Sequence, residues 1–406
     1  MVMRTEKILE DQPPLKGVRV IDLTRVIAGP YCSMILGDLG AEIIKVEQPK
    51  TGDESRAWGP PWAKEMSAYF ISINRNKKSL TLNLKKAEGV KILKSLVEKA
   101  DVVLENFRPG TMEGLGLGYD TLKEINPRMI YCDITGFGTE GPYRDKPGLD
   151  AILQAIGGLM SITGEPAGEP VRVGVPVTDL FTGIYAFGAI ASALFAREQT
   201  GIGQRISINL LAMQAAMLVY IGSSYLVGGV IAQRWGSAHP TIVPNEAHRA
   251  KDGYLIFTVV NERMWKSFCH ILDMEELCQD PKFSENVRRL KNRKALYEAI
   301  DRKLADKTVE EWVSLFDQAG IPCGPINSLD RFFNDPQVLH LGLVKEVEHP
   351  HYGKVKMVGP PATFSKTPIA IQSPPPTLGE HSQDILTRLL GLSDEEVKNL
   401  KNQEVI

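Results

Sequence analysis

At 406 residues, with 43% hydrophobic and 24% charged side chains, the chain is long enough for two or three domains and has an ordinary globular composition. Lys and Arg number 47 against 49 Asp and Glu, so the formal charge is −2 and the basic excess of a nucleic-acid binder is absent. The five cysteines are odd in number and form no CxxC pair, which argues against a disulfide framework and structural zinc and suits a reducing compartment.

The opening Met-Val-Met-Arg-Thr-Glu-Lys carries an early acid and no apolar run, unlike a signal peptide. A cytoplasmic location is expected, or the mitochondrial matrix if a presequence has been removed. Short apolar runs predict buried strands over 17–22, 41–47, 101–105 and 129–133, with helices over 29–39 and 86–99. Strand and helix in alternation imply a parallel sheet wrapped by helices, with ligands beyond the carboxyl ends of the strands. Those ends lead into Arg25-Val-Ile-Ala-Gly-Pro30, Glu47-Gln-Pro49, Asn106-Phe-Arg-Pro-Gly110 and Thr135-Gly-Phe-Gly138, all turn-forming loops. Asp150 follows the last of them, at the start of an apolar helix that ends in Gly157-Gly158.

Residues 206–232 contain no charge, long enough in principle to cross a bilayer. Asn209, Gln214, Ser223, Ser224 and Gly228-Gly229 interrupt the run, so a long buried helix is expected and no membrane partner. After Ala232 the texture changes to a Trp/His/Pro loop, one strand over 252–260 and helical segments to about Gly320, a smaller second domain. An amphipathic helix with Ile385, Leu386, Leu389 and Leu390 on one face closes the chain.

There is no GxxxxGK[ST] loop, so no ATP site of that type is expected, and no GxSxG elbow. None of the seven histidines precedes His239, which removes a His-ligated metal or a Ser–His pair from the first domain. Its nucleophile or base is then a carboxylate, Lys, Cys or Tyr. Asp150 and Asp179 both stand just before apolar helices, and each reads equally as a nucleophile or as a helix N-cap.

The chain resembles the class III CoA-transferases. The resemblance is carried by Asp22-Leu-Thr-Arg-Val-Ile-Ala-Gly-Pro30, Leu39-Gly-Ala-Glu-Ile-Ile-Lys-Val-Glu47, Asn74-Arg-Asn-Lys-Lys-Ser79, Glu105-Asn-Phe-Arg-Pro-Gly110, Thr135-Gly-Phe-Gly138, Thr200-Gly-Ile-Gly-Gln204 and Leu378-Gly-Glu-His381. Arg234-Trp-Gly-Ser-Ala-His239, Ile242-Val-Pro244, Asn327 and Pro336-Gln-Val-Leu-His340 are similar to the succinate–hydroxymethylglutarate subgroup. After Pro244, where relatives tend to carry an aromatic, this chain has Asn245-Glu246-Ala-His248, a departure that bears on acyl preference.

The resemblance implies an α/β fold, a large Rossmann-like domain plus a smaller one, the chain forming an open ring interlocked with a second subunit as a homodimer. The implied boundaries are 1–200 for the large CoA-binding domain, 201–232 for a helical linker, 233–325 for the small domain and 326–406 for a return segment. It makes Asp150 the nucleophile and leaves Asp179 a cap or structural residue. Succinyl-CoA is the implied donor and glutarate or hydroxymethylglutarate the acceptor, through an aspartyl anhydride and an aspartyl-CoA thioester, with coenzyme A entering as substrate and no metal. Ile27, Ala28, Gln48, Leu82, Asn83, Lys85, Asn106, Phe107, Arg108, Thr135, Gly136, Phe137 and Gly138 carry over as the CoA site, although formyl-transferring relatives have Gln at the position of Ile27 and Arg at that of Gly114. Arg25, Arg108 and His239 are substrate candidates, and Arg75, Lys77 and Lys78 candidates for the CoA phosphates. A racemase of the same fold pairs a first-domain His with the Asp, which this chain lacks. A non-catalytic CoA-binding protein is the remaining alternative.

Overall fold

The computed structural model describes residues 12–406; the N-terminal stretch read above against a signal peptide lies outside them. The chain divides into two compact units, one of residues up to Gly157 with Val173–Ser223 and Gln337–Ile406, the other of Gly158–Arg172 with Ser224–Pro336.

The first unit is built on β1 (Arg19–Asp22), α1 (Ala28–Asp38), β2 (Glu42–Glu47), β3 (Lys77–Thr81), α2 (Ala87–Val97), β4 (Val102–Glu105), β5 (Ile130–Thr135), α3 (Asp150–Ile156), α4 (Val177–Thr200), β6 (Arg205–Asn209) and α5 (Leu210–Met217); α6 (Val219–Gly228) begins in this unit and ends in the second. Six parallel strands run in the order β3-β2-β1-β4-β5-β6. That is the doubly wound order, whose switch point lies between β1 and β4. Val20 sits opposite both Ile43 and Val102, and with Ile130, Cys132 and Ile134 these residues bury one sheet face under α1 and α4. On the other face Ile21, Ile44 and Val103 pack with Leu93 and Leu96 of α2.

Two of the six strands were not expected. β3 holds Lys77 and Lys78, given above as candidates for the CoA phosphates, and β6 occupies the start of the stretch read as a helix. Residues 206–232 are not one long buried helix either. α5 and α6 are bent by 80° at their junction. In α6, Leu226 is 83% and Val227 90% exposed. Helix α4 is itself long and apolar enough to cross a membrane, yet its Ala186, Ile190, Ala193 and Leu194 lie in the core against the sheet.

The second unit has a three-stranded antiparallel sheet of β7 (Asn245–Arg249), β8 (Tyr254–Thr258) and β9 (Cys323–Pro325). Its core gathers Phe257, Trp265, Phe268, Trp312 and Phe316. The departure after Pro244 falls on β7, where His248 is buried, 2.6 Å from Asp301 and stacked on Phe257. The last segment of the first unit adds the hairpin β10 (Val344–His349) and β11 (Gly353–Val358), then α7 (Ser382–Leu390) and α8 (Asp394–Asn402). Ile385, Leu386, Val397 and Leu400 join the α2 side of the core, and the Asn83 N–H donates to the Val405 carbonyl.

Candidate active site

The site grows from the carboxyl ends of β1, β4 and β5. Asp22, at the end of β1, is fully buried and accepts from Thr24 and Ser33 while Lys77 approaches at 3.3 Å. Lys45 Nζ, also buried, donates to Asp53 and to the Thr24 carbonyl, both at 2.8 Å. Burial by itself would raise the Asp22 carboxyl, but Lys77 and Lys45 outweigh it and hold it low. Asp53 is driven down to about 2 by Lys45 in the same way, against burial. Its carboxylate also takes the Val26 N–H at 3.2 Å, and Val26 has φ of 71°, a left-handed conformation costly for a β-branched residue. Buried charge therefore sets the path of the loop between β1 and α1.

Asn106 joins that loop to the one after β4 across the switch point. Its Oδ1 accepts the Arg25 N–H at 2.9 Å and its Nδ2 donates to the Arg25 carbonyl at 2.8 Å. Two cavities open around this stitch. The first, of about 360 Å³, is lined by Arg25, Val26, Ile27, Ala28, Glu54, Asn106 to Pro109, Ile134 to Gly136, Arg144, Lys146 to Leu149, Asp179 and Leu210. The second, of about 450 Å³, is lined by Gln48, Leu82, Asn83, Lys85, Val46 and their neighbours. Arg25 and Phe107 belong to both, with the guanidinium 4.9 Å from the ring centroid.

Asp150 stands next to the first cavity, directly after Gly148 and Leu149, and is 8% exposed. Gly136 and Gly148 meet backbone to backbone there; a Cβ on Gly136 would lie 2.8 Å from Gly148 Cα. Asp150 opens α3 but does not cap it. Its Oδ1 instead accepts the Thr178 N–H at 2.9 Å and the Asp179 N–H at 3.4 Å, in the first turn of α4. Gln154 Nε2 donates to Oδ2 at 2.7 Å, and the Gln154 Oε1 is held by the Val173 N–H. The carboxylate thus rests on the positive end of a 24-residue helix that is not its own.

The cavity is electropositive. Arg25, Arg108, Arg144 and Lys146 face Glu54 and Asp179, and Arg25 is already paired with Glu54 at 2.7 Å. At its floor α1 begins at Ala28 without a side-chain cap, so the helix presents uncapped N–H groups beside Ile27 and Ala28. Two buried carboxyl groups, several cations and the uncapped start of a helix thus meet in one unit.

The family model for CoA-transferase family III matches residues 15–382. The chain belongs to that family. This CoA-transferase is 45% identical to succinyl-CoA:glutarate CoA-transferase of Homo sapiens over 403 residues, 99% of this chain and 92% of that protein. Succinate–glutarate CoA-transferase of Agrobacterium fabrum is 40% identical, over 93% of this chain and 96% of that one. Among solved structures, a CAIB/BAIF family protein from Brucella suis superposes with a TM-score of 0.85 at 38% identity, covering 93% of this chain and all of that one.

The substrate of this CoA-transferase is a CoA thioester, and the site residues expected from the sequence fall into place as follows. Arg25, Ile27, Ala28, Asn106, Phe107, Arg108, Thr135 and Gly136 line the first cavity, while Gln48, Leu82, Asn83 and Lys85 line the second. Phe137 and Gly138 line neither: the Phe137 ring is buried in the sheet core, and the Gly138 N–H donates to Thr135 Oγ1 at 3.0 Å. His239 belongs to the second unit, where its Nδ1 accepts the N–H groups of Thr241 and Ile242. The three phosphate candidates are engaged elsewhere. Arg75 forms a two-point pair with Asp38, Lys77 is sealed against Asp22, and Lys78 pairs with Glu42. Asp179 is not a cap, for no backbone N–H donates to its side chain at the start of α4. Arg144, Lys146 and Glu54 escaped the sequence reading; the only trace was two cations in the turn-rich stretch 141–148 between a strand end and Asp150.

Proposed function

We propose that this enzyme transfers CoA from succinyl-CoA to glutarate or hydroxymethylglutarate, with Asp150 as covalent nucleophile. The observation that carries the reading is the Asp150 carboxylate, held on the N-terminus of α4 beside a cation-lined cavity. The relatives named above as glutarate CoA-transferases support the donor and acceptor.

Asp150 attacks the thioester carbonyl of succinyl-CoA; a C–O bond forms, the C–S bond breaks, and a mixed anhydride and CoA thiolate result. The thiolate attacks the Asp150 carbonyl carbon, releasing succinate and leaving an aspartyl-CoA thioester. The acceptor carboxylate then runs the two steps in reverse, so one thioester is exchanged for another without ATP. Dividing the transfer in this way replaces one hard step with easier ones. The uncapped N–H groups of α1 would stabilise the oxyanions as they form.

Coenzyme A would occupy the second cavity against Gln48, Leu82, Asn83 and Lys85 and reach the first past Arg25 and Phe107. Arg108, with no ion pair among the described residues, would take the distal carboxylate of the acid, as a guanidinium fork does. We also propose a homodimer, with the two chains interlocked as rings. Phe181, Tyr185 and Phe195 on α4 are exposed apolar side chains of the kind a second subunit covers. Five free cysteines agree with a cytoplasmic or matrix location.

Intact mass after mixing with succinyl-CoA tests the chemistry. A CoA-sized or acyl-sized adduct, labile to hydroxylamine, is expected on the wild type and absent from Asp150→Ala. A wild type that binds CoA yet forms no adduct would overturn the mechanism.

A further inference from the structure

Among the described residues of the first unit two glutamines are fully buried, Gln154 on α3 and Gln214 on α5. Gln154 belongs to the site already described, since it donates to Asp150 and holds the Val173 N–H. Gln214 lines neither cavity. Its Oε1 accepts the Thr178 hydroxyl at 2.8 Å, and its buried Nε2 has no hydrogen-bond partner among the described residues. A buried amide with an unpaired donor destabilises a fold, and an apolar side chain of the same length avoids that cost. Stability therefore does not account for Gln214. The packing nonetheless makes room for it: a Cβ on Gly157, just past the end of α3, would lie 2.0 Å from Gln214 Cγ.

The partner of Gln214 is the start of α4, which little else fixes. Between α3 and α4 the chain belongs to the second unit over Gly158–Arg172 and rejoins the first at Val173. Helix α4 then begins after Pro176 without a side-chain cap. Helix α5, by contrast, is anchored on the sheet. Asn209 pairs with Thr135 in the register of β5 and β6, and its side chain caps α5 by accepting the Ala212 N–H at 2.7 Å. The Leu211 N–H donates to the Gly136 carbonyl at 3.1 Å. Gln214 thus ties the first turn of α4 to the strand end that brings Thr135 and Gly136 to the first cavity. Thr178 passes the constraint on, giving its N–H to Asp150 at 2.9 Å.

Resting on the reading that the thioester reacts in the first cavity, we propose that Gln214 is a positioning residue for CoA transfer, acting through the Thr178 hydroxyl to hold the first turn of α4 in register with the loop after β5. It touches no substrate. Its effect falls on the geometry of the reacting groups, where small displacements are costly, and not on acyl-CoA binding in the second cavity, whose lining lies outside this network.

The test replaces both partners at once in the full-length protein. Gln214→Met combined with Thr178→Val removes the hydrogen bond and the unpaired donor together at similar volume, a change that leaves a fold nearly as stable or more so. Its Tm should equal or exceed that of the wild type, while kcat for transfer from succinyl-CoA to glutarate falls about 10–100-fold, the range of a slightly misplaced reacting group. KM for succinyl-CoA should stay within about twofold, because ground-state binding is untouched. Thr178→Ser, which keeps the hydroxyl, should retain wild-type kcat. A double variant with wild-type kcat overturns the proposal, as does one whose Tm falls together with kcat, the mark of a bond that only supports the fold. A Ser variant as impaired as the double variant overturns it too. Wild-type protein that transfers no CoA between succinyl-CoA and glutarate overturns the proposed function and this proposal with it.

Discussion

Glu105 ends β4 and is followed at once by Asn106, Phe107 and Arg108 of the cavity wall. It is 7% exposed, takes the Phe107 N–H at 2.8 Å, and lies 3.3 Å from the Tyr131 hydroxyl. No cation pairs with it among the described residues. Burial, reinforced by Asp133 and against the pull of the Phe107 N–H, pushes its carboxyl from 4.5 up to about 8. The sign follows from linkage: the unfolded chain loses this proton near pH 4.5, the folded one only near 8, so stability is lost as pH rises between those values. At pH 7 the separation costs about 3 kcal/mol, at roughly 1.4 kcal/mol per pKa unit. Replacing Glu105 by Gln keeps the shape and the acceptor and removes the ionisation. For a chain of 406 residues, about 3 kcal/mol corresponds to about 4 °C in Tm. Thermal unfolding of wild type and Glu105→Gln at pH 5, 6, 7 and 8 should show the variant gaining on the wild type as pH rises, with little gap at pH 5. A gap that is constant with pH, or that favours the wild type at pH 8, would refute a protonated Glu105.

Two further substitutions probe the site. Arg108→Ala should lower kcat/KM for glutarate by about 10–100-fold, the loss of one charge-assisted contact, with CoA binding and the use of monocarboxylic acids retained; unchanged glutarate kinetics would remove Arg108 from the acid site. Gly136→Ala places a Cβ 2.8 Å from the Gly148 backbone, which cannot yield without moving Asp150. Its kcat should fall by about 100-fold, the scale of a 1 Å misplacement, with CoA affinity little changed; wild-type turnover would show that the contact does not position the site.

Much of the sheet was legible because β1, β2, β4 and β5 are buried on both faces and so read as largely apolar runs. β3 and β6 were not. Lys77 in β3 is acceptable inside only because Asp22 waits there from a strand 55 residues earlier, and β6 is a half-exposed edge strand whose Arg205 pairs with Asp133 at 2.7 Å. Local composition cannot report a partner so distant in sequence. The uncharged stretch 206–232 misled in the opposite sense: apolarity predicted burial, yet α6 is largely exposed in the single chain, so its apolar face calls for cover that no local pattern identifies.

The sequence by itself determined a doubly wound α/β unit, loops at its strand ends, and a family assignment resting on motifs that survive as strings. It also left the first domain a carboxylate, Lys, Cys or Tyr as nucleophile or base, since no histidine precedes His239. Choosing between Asp150 and Asp179 was beyond it, because both look like caps from the residues on either side. Tertiary structure sets the two apart by reaching across 28 residues: the Asp150 carboxylate accepts from the first turn of α4, while Asp179 lines the cavity. Helix N-termini and buried carboxyls acquire their chemistry from what packs against them, and that is set by the fold rather than by neighbours in the chain.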